Sequence, residues 1–421
     1  MKKSAVSSTS QQYQPVVLLT AGPHDRKQVS ANRRRRSPDS KAYREPQDLQ
    51  TSDLQTSDLQ TMKMYNHNDL LNFTTEVFMQ VGCSREDAAA VAAVLVAAEL
   101  RDHSSHGMIR IREYFELWKN GRVNVSPDVR VVHETPSTAV VDGDRCFGMV
   151  AGVRSMRLAI EKAATTGTGW VAARNSNHFG IAGYYAMMAL EHDMVGIAVT
   201  NANPLVVPTL SVSRFLGTNP LAVAVPALEE PPFVADFATT PIARGKLAVS
   251  EKKGERVPLG YVQDAEGNPS DDPAILRHGG GMVTLGGDRL HGSHKGYCMT
   301  AVIDIFSSLF SGANFGPFVP PSVAYLPVPE NQPGKGTGHF FGAMRVDAFR
   351  PADEFKASMD HWIRTFRNAQ PAKGEERVYI PGDPEREAEE RFRQEGIALV
   401  PAVEQDLRGI AAELGIDFPG E

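Results

Sequence analysis

One glycine pair limits the architecture of this chain more than any other feature. The stretch Gly167-Thr168-Gly169-Trp170-Val171-Ala172 has the GxGxxA spacing of a dinucleotide-binding turn. Such a turn works when a strand leads in and a helix leads out, because the helix N-terminus then receives the phosphates. Here the order is reversed. Val153, Met156, Ile160 and Ala163 or Ala164 recur at helical spacing before the glycines, whereas residues 170–174 read as an apolar strand after them. The glycines are more simply a helix C-cap. No GxxxxGKS/T phosphate loop is present either. Strands and helices alternate, but nucleotide binding through a standard dinucleotide turn is excluded.

The remaining pattern predicts three helices first: residues 69–79, closed by Gly82; a run opened by Ser84 with Asp87 as a capping-box-like pair and continuing to Leu100; and a third ended at Asn120-Gly121. Residues 129–141 read as strand, turn, strand with Pro136 in the turn. Residues 196–200 and 221–225 are further strands, with a helix over 182–192. Residues 227–294 are rich in loops, and residues 295–311 form a helix apolar on nearly every side and therefore expected to be buried. A strand over 340–346 precedes helices at 353–367, from Asp383-Pro384 with Asp383 as cap, and at 403–414. The fold class is α/β (α+β). A helical N-terminal unit, 62–126, is expected to pack with C-terminal helices, 350–421, beside an α/β cofactor- and substrate-binding region, 127–349.

Residues 1–61 do not read as a domain. They contain RRRR at Arg33–Arg36, the tandem repeat DLQTSDLQTSDLQT, and no Phe, Trp, Ile or Cys. Such composition cannot bury enough apolar surface to offset chain entropy, so the segment reads as a disordered extension or a mis-assigned start before Met62 or Met64. The net charge of −6 argues against a nucleic-acid or membrane partner. Cys83, Cys146 and Cys298 are odd in number and far apart, which fits a reducing cytoplasmic setting. No apolar run reaches transmembrane length.

The chemistry concentrates in RDHSSHGMIRIREYFELWKNGRV, residues 101–123. His106 and Arg110 are four residues apart, which in a helix places them on one face. An imidazole gives or takes a proton near neutral pH. A guanidinium grips a carboxylate through two parallel hydrogen bonds. The pair suits a small 2-oxo or 2-hydroxy acid. The plainer reading is a helix start with Ser105 as cap and Arg110 in solvent.

Four other clusters stand out. NSNHFG, 175–180, follows a strand, where ligands dock in α/β sheets; His178 there faces a ligand or braces the loop. GTNP, 217–220, is a polar turn. ADFATTPIARGK, 235–246, sets Asp236 among small residues, as a backbone approaching a flat ligand requires. HGSHKG, 291–296, leads into the apolar helix, with Lys295 as a candidate phosphate seat. His103/His106 and His291/His294 have HxxH spacing without a third ligand, so no metal is expected.

Taken in order, these clusters resemble the malate/L-lactate dehydrogenase family of the second type, a group with sulfolactate, ureidoglycolate and diketogulonate dehydrogenases and piperideine-2-carboxylate reductases. LRDHSSHGMIRIREY is similar to the family's LRGHDSHGxxRxxxY, and NSNHFGIAGYYA, GTNPLAVAVP, DFAT, RGK, HKGYCMTAVIDIFSSLFSGA and PGDPE fall where the family has counterparts. The likeness runs from about Tyr65 to Ile416. It implies an NAD(P)-dependent reductase of 2-oxo acids or cyclic imino acids, with a non-Rossmann mixed-sheet NAD(P)-binding domain, usually as a homodimer. Residue by residue, it implies catalytic roles for Ser105, His106 as proton donor, and His178 as a base in some members. It implies substrate contacts from Arg110, Thr218, Arg244 and Gly245. It implies NAD or NADP contacts from His178, Phe179, Gly180, Asp236, Phe237, Ala238, His294, Lys295, Gly382, Asp383 and Pro384.

The sequence departs from the family at Asp102, Ser104, Ala202, Tyr261 and Lys246. The imino-acid reductases carry an Asp at the last position, so Lys246 argues against that substrate. Two other readings stay open: a catalytically inactive scaffold of the same fold, and a metal hydrolase using His103, His106 and His178.

Overall fold

The computed structural model describes residues 63–420. The readings for residues 1–61 fall outside them. The first helices form where local rules place them. Helix α1 (His67–Gln80) is followed by α2 (Arg85–Leu100), whose N-cap Ser84 accepts the N–H of Asp87 through its hydroxyl at 3.1 Å. Glu86 and Asp87 add negative charge to the positive end of that helix. Its small side chains let it sink deep: Ala88, Val91, Leu95 and Ala98 are fully buried. Helix α3 (Arg110–Lys119) completes the N-terminal group.

A seven-stranded mixed sheet forms the centre, in the order β2-β3-β4-β11-β5-β6-β7. β2 (Arg130–Glu134) and β3 (Thr138–Asp142) form the predicted strand pair. Helix α4 (Gly148–Thr166) crosses over from β3 to β4 (Thr168–Ser176), which is why those two neighbours are parallel. Gly167, at φ 86°, ends α4 in the left-handed conformation, the C-cap that the reversed glycine order predicts. β5 (Met194–Thr200), β6 (Leu221–Val225) and β7 (Phe233–Phe237) continue the sheet antiparallel. β11 (Thr337–Arg345) inserts between β4 and β5 and pairs antiparallel with both.

Side-chain alternation along β11 assigns its two faces. Phe341 turns toward Tyr185 of α5 (Ala182–Met188), at a ring distance of 5.5 Å. Phe340 turns the other way, 5.2 Å from Phe306 of α7 (Ser293–Ser308). Between them in the chain lie α6 (Arg244–Lys253) and a small sheet of β8 (Val262–Gln263), β9 (Pro269–Ser270) and β10 (Gly281–Met282). This lobe has its own apolar cluster, with Val206, Leu247, Val262 and Met282 at its centre.

The sequence reads α7 as a helix buried all round; the structure corrects this. Thr300, Ser307 and Ser308 are buried, while Val302, Ile305, Leu309 and Phe310 are 44–60% exposed. Gly338 of β11 comes so close to the Ser307 carbonyl that only small side chains fit on the inner face. The bulky residues are left on the outside.

Helices α8 (Ala352–Arg367), α9 (Asp383–Glu395) and α10 (Pro401–Leu414) do not share one location. α9 and α10 meet the N-terminal helices through Arg101–Glu389, Arg112–Asp406 and Lys119–Glu413. β1 (Met64–Tyr65) and β12 (Ile397–Ala398) pair beside them. α8 instead lies at the β7 edge, where Asp360 accepts the backbone N–H groups of Leu228, Glu229 and Glu230. Three amide donors in the β6–β7 loop hold that helix there, alongside the packing of Trp362 on Phe233 of β7 at a ring distance of 5.8 Å.

Candidate active site

The carboxyl ends of β4, β5 and β7 and the start of β6 lie along one edge of the sheet. A cavity of about 510 Å³ opens there. The turn between α2 and α3 closes it from one side, and α6 and the first turn of α9 close it from others. His106 and Arg110 both line it. They do not share a helix, as their spacing suggests. Residues Ser104–His106 form a 3-10 turn, Gly107 breaks it, and Arg110 is the first residue of α3. Arg110 reaches the cavity because its Nε donates to the Ser105 carbonyl at 2.7 Å and its Nη1 donates to Glu113. The true one-turn neighbour of Arg110 on α3 is Tyr114.

Ser105 Oγ lies 3.0 Å from His106 Nδ1. The His106 ring stacks on that of His178 with centroids 5.4 Å apart. His178 follows β4, and its Nδ1 is 2.7 Å from the Tyr114 hydroxyl. Burial pushes the His106 pKa down to about 3, helped by the positive charge of Arg110 and by His103. Burial, Arg110 and His106 likewise hold His178 well below the usual histidine range. Both imidazoles are neutral at physiological pH.

Beneath the turn, Glu99 accepts the Met108 N–H at 2.6 Å. Burial raises its carboxyl pKa to about 8, with the charge of Asp102 adding to the effect, so it is mainly protonated at pH 7. A Cβ added at Gly107 would lie 2.3 Å from Glu99 Oε1. Gly107→Ala is therefore expected to destabilise the protein by about 1–3 kcal/mol, the usual cost of overpacking. Denaturant unfolding measures this, and an unchanged midpoint would mean that Glu99 does not fix the turn.

The cavity brings together Ser105, His106, His178, Gly180, Arg110, Thr218, Asp236, Phe237, Ala238, Arg244, Gly245 and Pro384 from the sequence reading. Asp236 accepts the Gly183 N–H at 2.7 Å, and Phe237 is 37% exposed. Five other residues lie off the cavity lining. Phe179 is buried, its ring stacked 4.7 Å from His339. His294 and Lys295 are exposed at the start of α7. Gly382, at φ 97°, is the N-cap of α9, correcting the reading of Asp383 as cap. The Asp383 carboxylate turns inward instead, to the Ile380 N–H and to Arg367 and Arg386.

Sequence reasoning did not find Asn203, Ser322 or Glu385 in the lining, and it weighed His103 only as a metal ligand. Loop polar residues carry no periodic signal that would have found Asn203 or Ser322. His103 Nε2 and Glu385 Oε2 are buried without a hydrogen-bond partner, which suits a polar ligand. Among the described residues, no three His, Cys, Asp or Glu side chains gather as a metal site. No helix among them is long and apolar enough to cross a membrane.

A family model described as malate/L-lactate dehydrogenase matches residues 65–408. The chain belongs to this family. Malate dehydrogenase of Pyrococcus abyssi is 39% identical over 350 residues, covering 83% of this chain and 94% of that protein. L-sulfolactate dehydrogenase of Methanocaldococcus jannaschii is 37% identical over 343 residues, covering 82% and 95%. The solved structure of malate dehydrogenase from Entamoeba histolytica superposes with a TM-score of 0.79 at 33% identity, covering 85% of this chain and 100% of that one. The mixed sheet with its helical N-terminal unit is the fold of these dehydrogenases, and the present family member is an oxidoreductase.

Proposed function

We propose that this dehydrogenase exchanges a hydride between NAD or NADP and a small 2-hydroxy or 2-oxo acid, with His106 moving the proton and Arg110 binding the carboxylate. The observation that carries this reading is the shared cavity: His106, hydrogen-bonded to Ser105 and stacked on His178, lines the same space as Arg110. Arg244 and Lys246 line it as well. Four basic residues with Arg101 included, against the three carboxyls of Asp102, Asp236 and Glu385, favour an acid with a second anionic group, in keeping with relatives named for malate and sulfolactate.

The lining fits a nicotinamide nucleotide. The exposed Phe237 ring offers a flat apolar contact, Gly180 and Ala238 permit close approach, and the orphaned atoms of His103 and Glu385 await polar partners. Asp236, Phe237, Ala238, Gly180 and Pro384 would hold it there, and it would supply or accept the hydride. His294, Lys295, Gly382, Asp383 and Phe179 stay in this proposal only as supports outside the lining.

With Ser105 accepting from Nδ1–H, His106 presents an unprotonated Nε2 to the substrate hydroxyl and can take its proton. In the reverse direction the imidazolium gives that proton back while Nδ1 stays bonded to Ser105. Arg110, already oriented by Ser105 and Glu113, meets the carboxylate without a search for its rotamer. A homodimer is part of the proposal, supported by the exposed apolar face of α7. So is a cytoplasmic setting, supported by three free cysteines. The division into a helical unit (62–126 with the C-terminal helices) and an α/β region (127–349) is kept in the same sense. Arg101–Glu389 and Lys119–Glu413 support it, with α8 assigned to the sheet edge.

A panel of 2-oxo and 2-hydroxy acids, run with both nucleotides and followed by reduced-nicotinamide fluorescence, tests the reading. Absence of turnover with every pair would favour an inactive scaffold. The pH dependence gives a second check. The free His106 pKa of about 3 leaves it unprotonated above pH 4. In 2-oxo acid reduction the scarce imidazolium is required, so kcat/KM is expected to fall about tenfold per pH unit as pH rises from about 6 to 9. In oxidation the neutral base is already present, and its own titration should leave kcat/KM flat over that range. A reduction profile flat to pH 9 would exclude this assignment.

A further inference from the structure

The two stacked histidines are held differently. At His178 a single nitrogen meets two groups: the Gly180 backbone N–H lies 3.3 Å from Nδ1 and the Tyr114 hydroxyl 2.7 Å from it. A backbone N–H can only donate, so Nδ1 carries no proton. The hydroxyl at that same nitrogen must then donate too. The ring proton sits on Nε2, the nitrogen left for the cavity. At His106 the Nδ1 partner is the Ser105 hydroxyl, which can donate or accept and leaves both tautomers open.

Tyr114 is well placed to enforce this difference. It is 2% exposed, one turn after Arg110 on α3, and its ring lies 6.1 Å from both His178 and Phe147. A hydroxyl buried this deeply keeps its proton; burial pushes the Tyr114 pKa beyond the usual phenol range. It can serve His178 only as a donor.

We infer that Tyr114 is a positioning residue: with the Gly180 N–H it locks His178 as the Nε2–H tautomer, making His178 a fixed hydrogen-bond donor into the cavity with no free basic nitrogen. This rests on the dehydrogenase reading above and assigns the proton transfer to His106 alone. The Nε2–H of His178 would meet an acceptor oxygen of the bound acid, while His106 Nε2, on the ring stacked against it, handles the proton. Arg110 and Tyr114 then act from one face of one helix, the first on the carboxylate and the second on the imidazole beside it. Protonation of His178 would place an Nδ1–H against the Gly180 N–H, so the same geometry disfavours a proton-donor role.

Three measurements decide it. In 15N-histidine NMR of the unliganded protein, His178 should show a pyridine-type Nδ1 and a pyrrole-type Nε2; a pyrrole-type Nδ1 overturns the inference. His178→Gln keeps an N–H donor but has no base. It should therefore lose at least about tenfold less kcat than His178→Ala, which has neither; equal losses in the two variants, the mark of a removed general base, overturn the inference. Tyr114→Phe should lower kcat/KM about five- to tenfold, the effect of one hydrogen bond. That cost should disappear in the His178→Gln background. An equal cost in both backgrounds means that Tyr114 acts through packing alone and overturns the positioning role. If no acid is turned over, the dehydrogenase reading fails, and the NMR result still decides the tautomer by itself.

Discussion

His106→Ala is expected to lower turnover by about two to four decades while leaving nicotinamide-nucleotide affinity near wild type. The Ser105 hydroxyl, 3.0 Å from Nδ1, leaves Nε2 as the working nitrogen. With His178 Nδ1 already occupied by Tyr114 and Gly180, no second imidazole stands ready to replace it. His103 also lines the cavity, but on the side of Glu385, which lies 4.0 Å from the His103 Nε2, and not in the stack of His106 on His178. Removing the ring also removes the stack on His178, so folding is checked by near-UV circular dichroism and by the more conservative His106→Gln. Stopped-flow binding of the reduced nucleotide separates affinity from chemistry. Turnover within threefold of wild type, in a folded variant, would remove His106 from the mechanism.

Arg110→Lys is expected to raise KM for the acid by about ten- to a hundredfold with a smaller change in kcat. The guanidinium already uses Nε on the Ser105 carbonyl and Nη1 on Glu113. Its planar fork lets one group satisfy those partners and still grip a carboxylate, whereas an ammonium is a single point and must choose. Glu113 is only 11% exposed at its side chain, so a lysine that turns toward substrate leaves a buried carboxylate poorly paired. A loss of stability is therefore expected beside the kinetic effect, and Arg110→Lys with Glu113→Gln should recover part of the stability without recovering KM. Steady-state kinetics on acids with one and two anionic groups measures the clamp. If KM stays at the wild-type value for both, the carboxylate is held by another group, with Arg244 the first candidate.

Much of the local structure was legible because the rules that produce it act over four or five residues. Ser84 caps α2 because a short hydroxyl side chain three positions before an amide can reach it. Gly167 ends α4 because only a residue free of Cβ strain adopts its positive φ readily. The same local view failed at Asp383, whose carboxylate is taken by Arg367 from outside the helix and by the nearby Arg386 and Ile380 N–H, leaving Gly382 as N-cap. It failed at α7 because hydrophobicity alone does not reveal which side of a helix meets a glycine-lined strand. It placed His106 and Arg110 on one helix face when a 3-10 turn and Gly107 separate them, yet the tertiary fold returned both to one cavity.

The sequence by itself determined which chemical groups this family member owns, where its helices begin and end, and that a standard dinucleotide turn is absent. Those properties depend on side-chain identity and on neighbours within a turn or two. Only the tertiary structure decided that the α2–α3 turn lies over the end of β4, which sets the His106 ring 5.4 Å from His178 and puts the Tyr114 hydroxyl on His178 Nδ1. Contacts between residues so distant in the chain arise from burial of the helices against the sheet, and no local spacing encodes them.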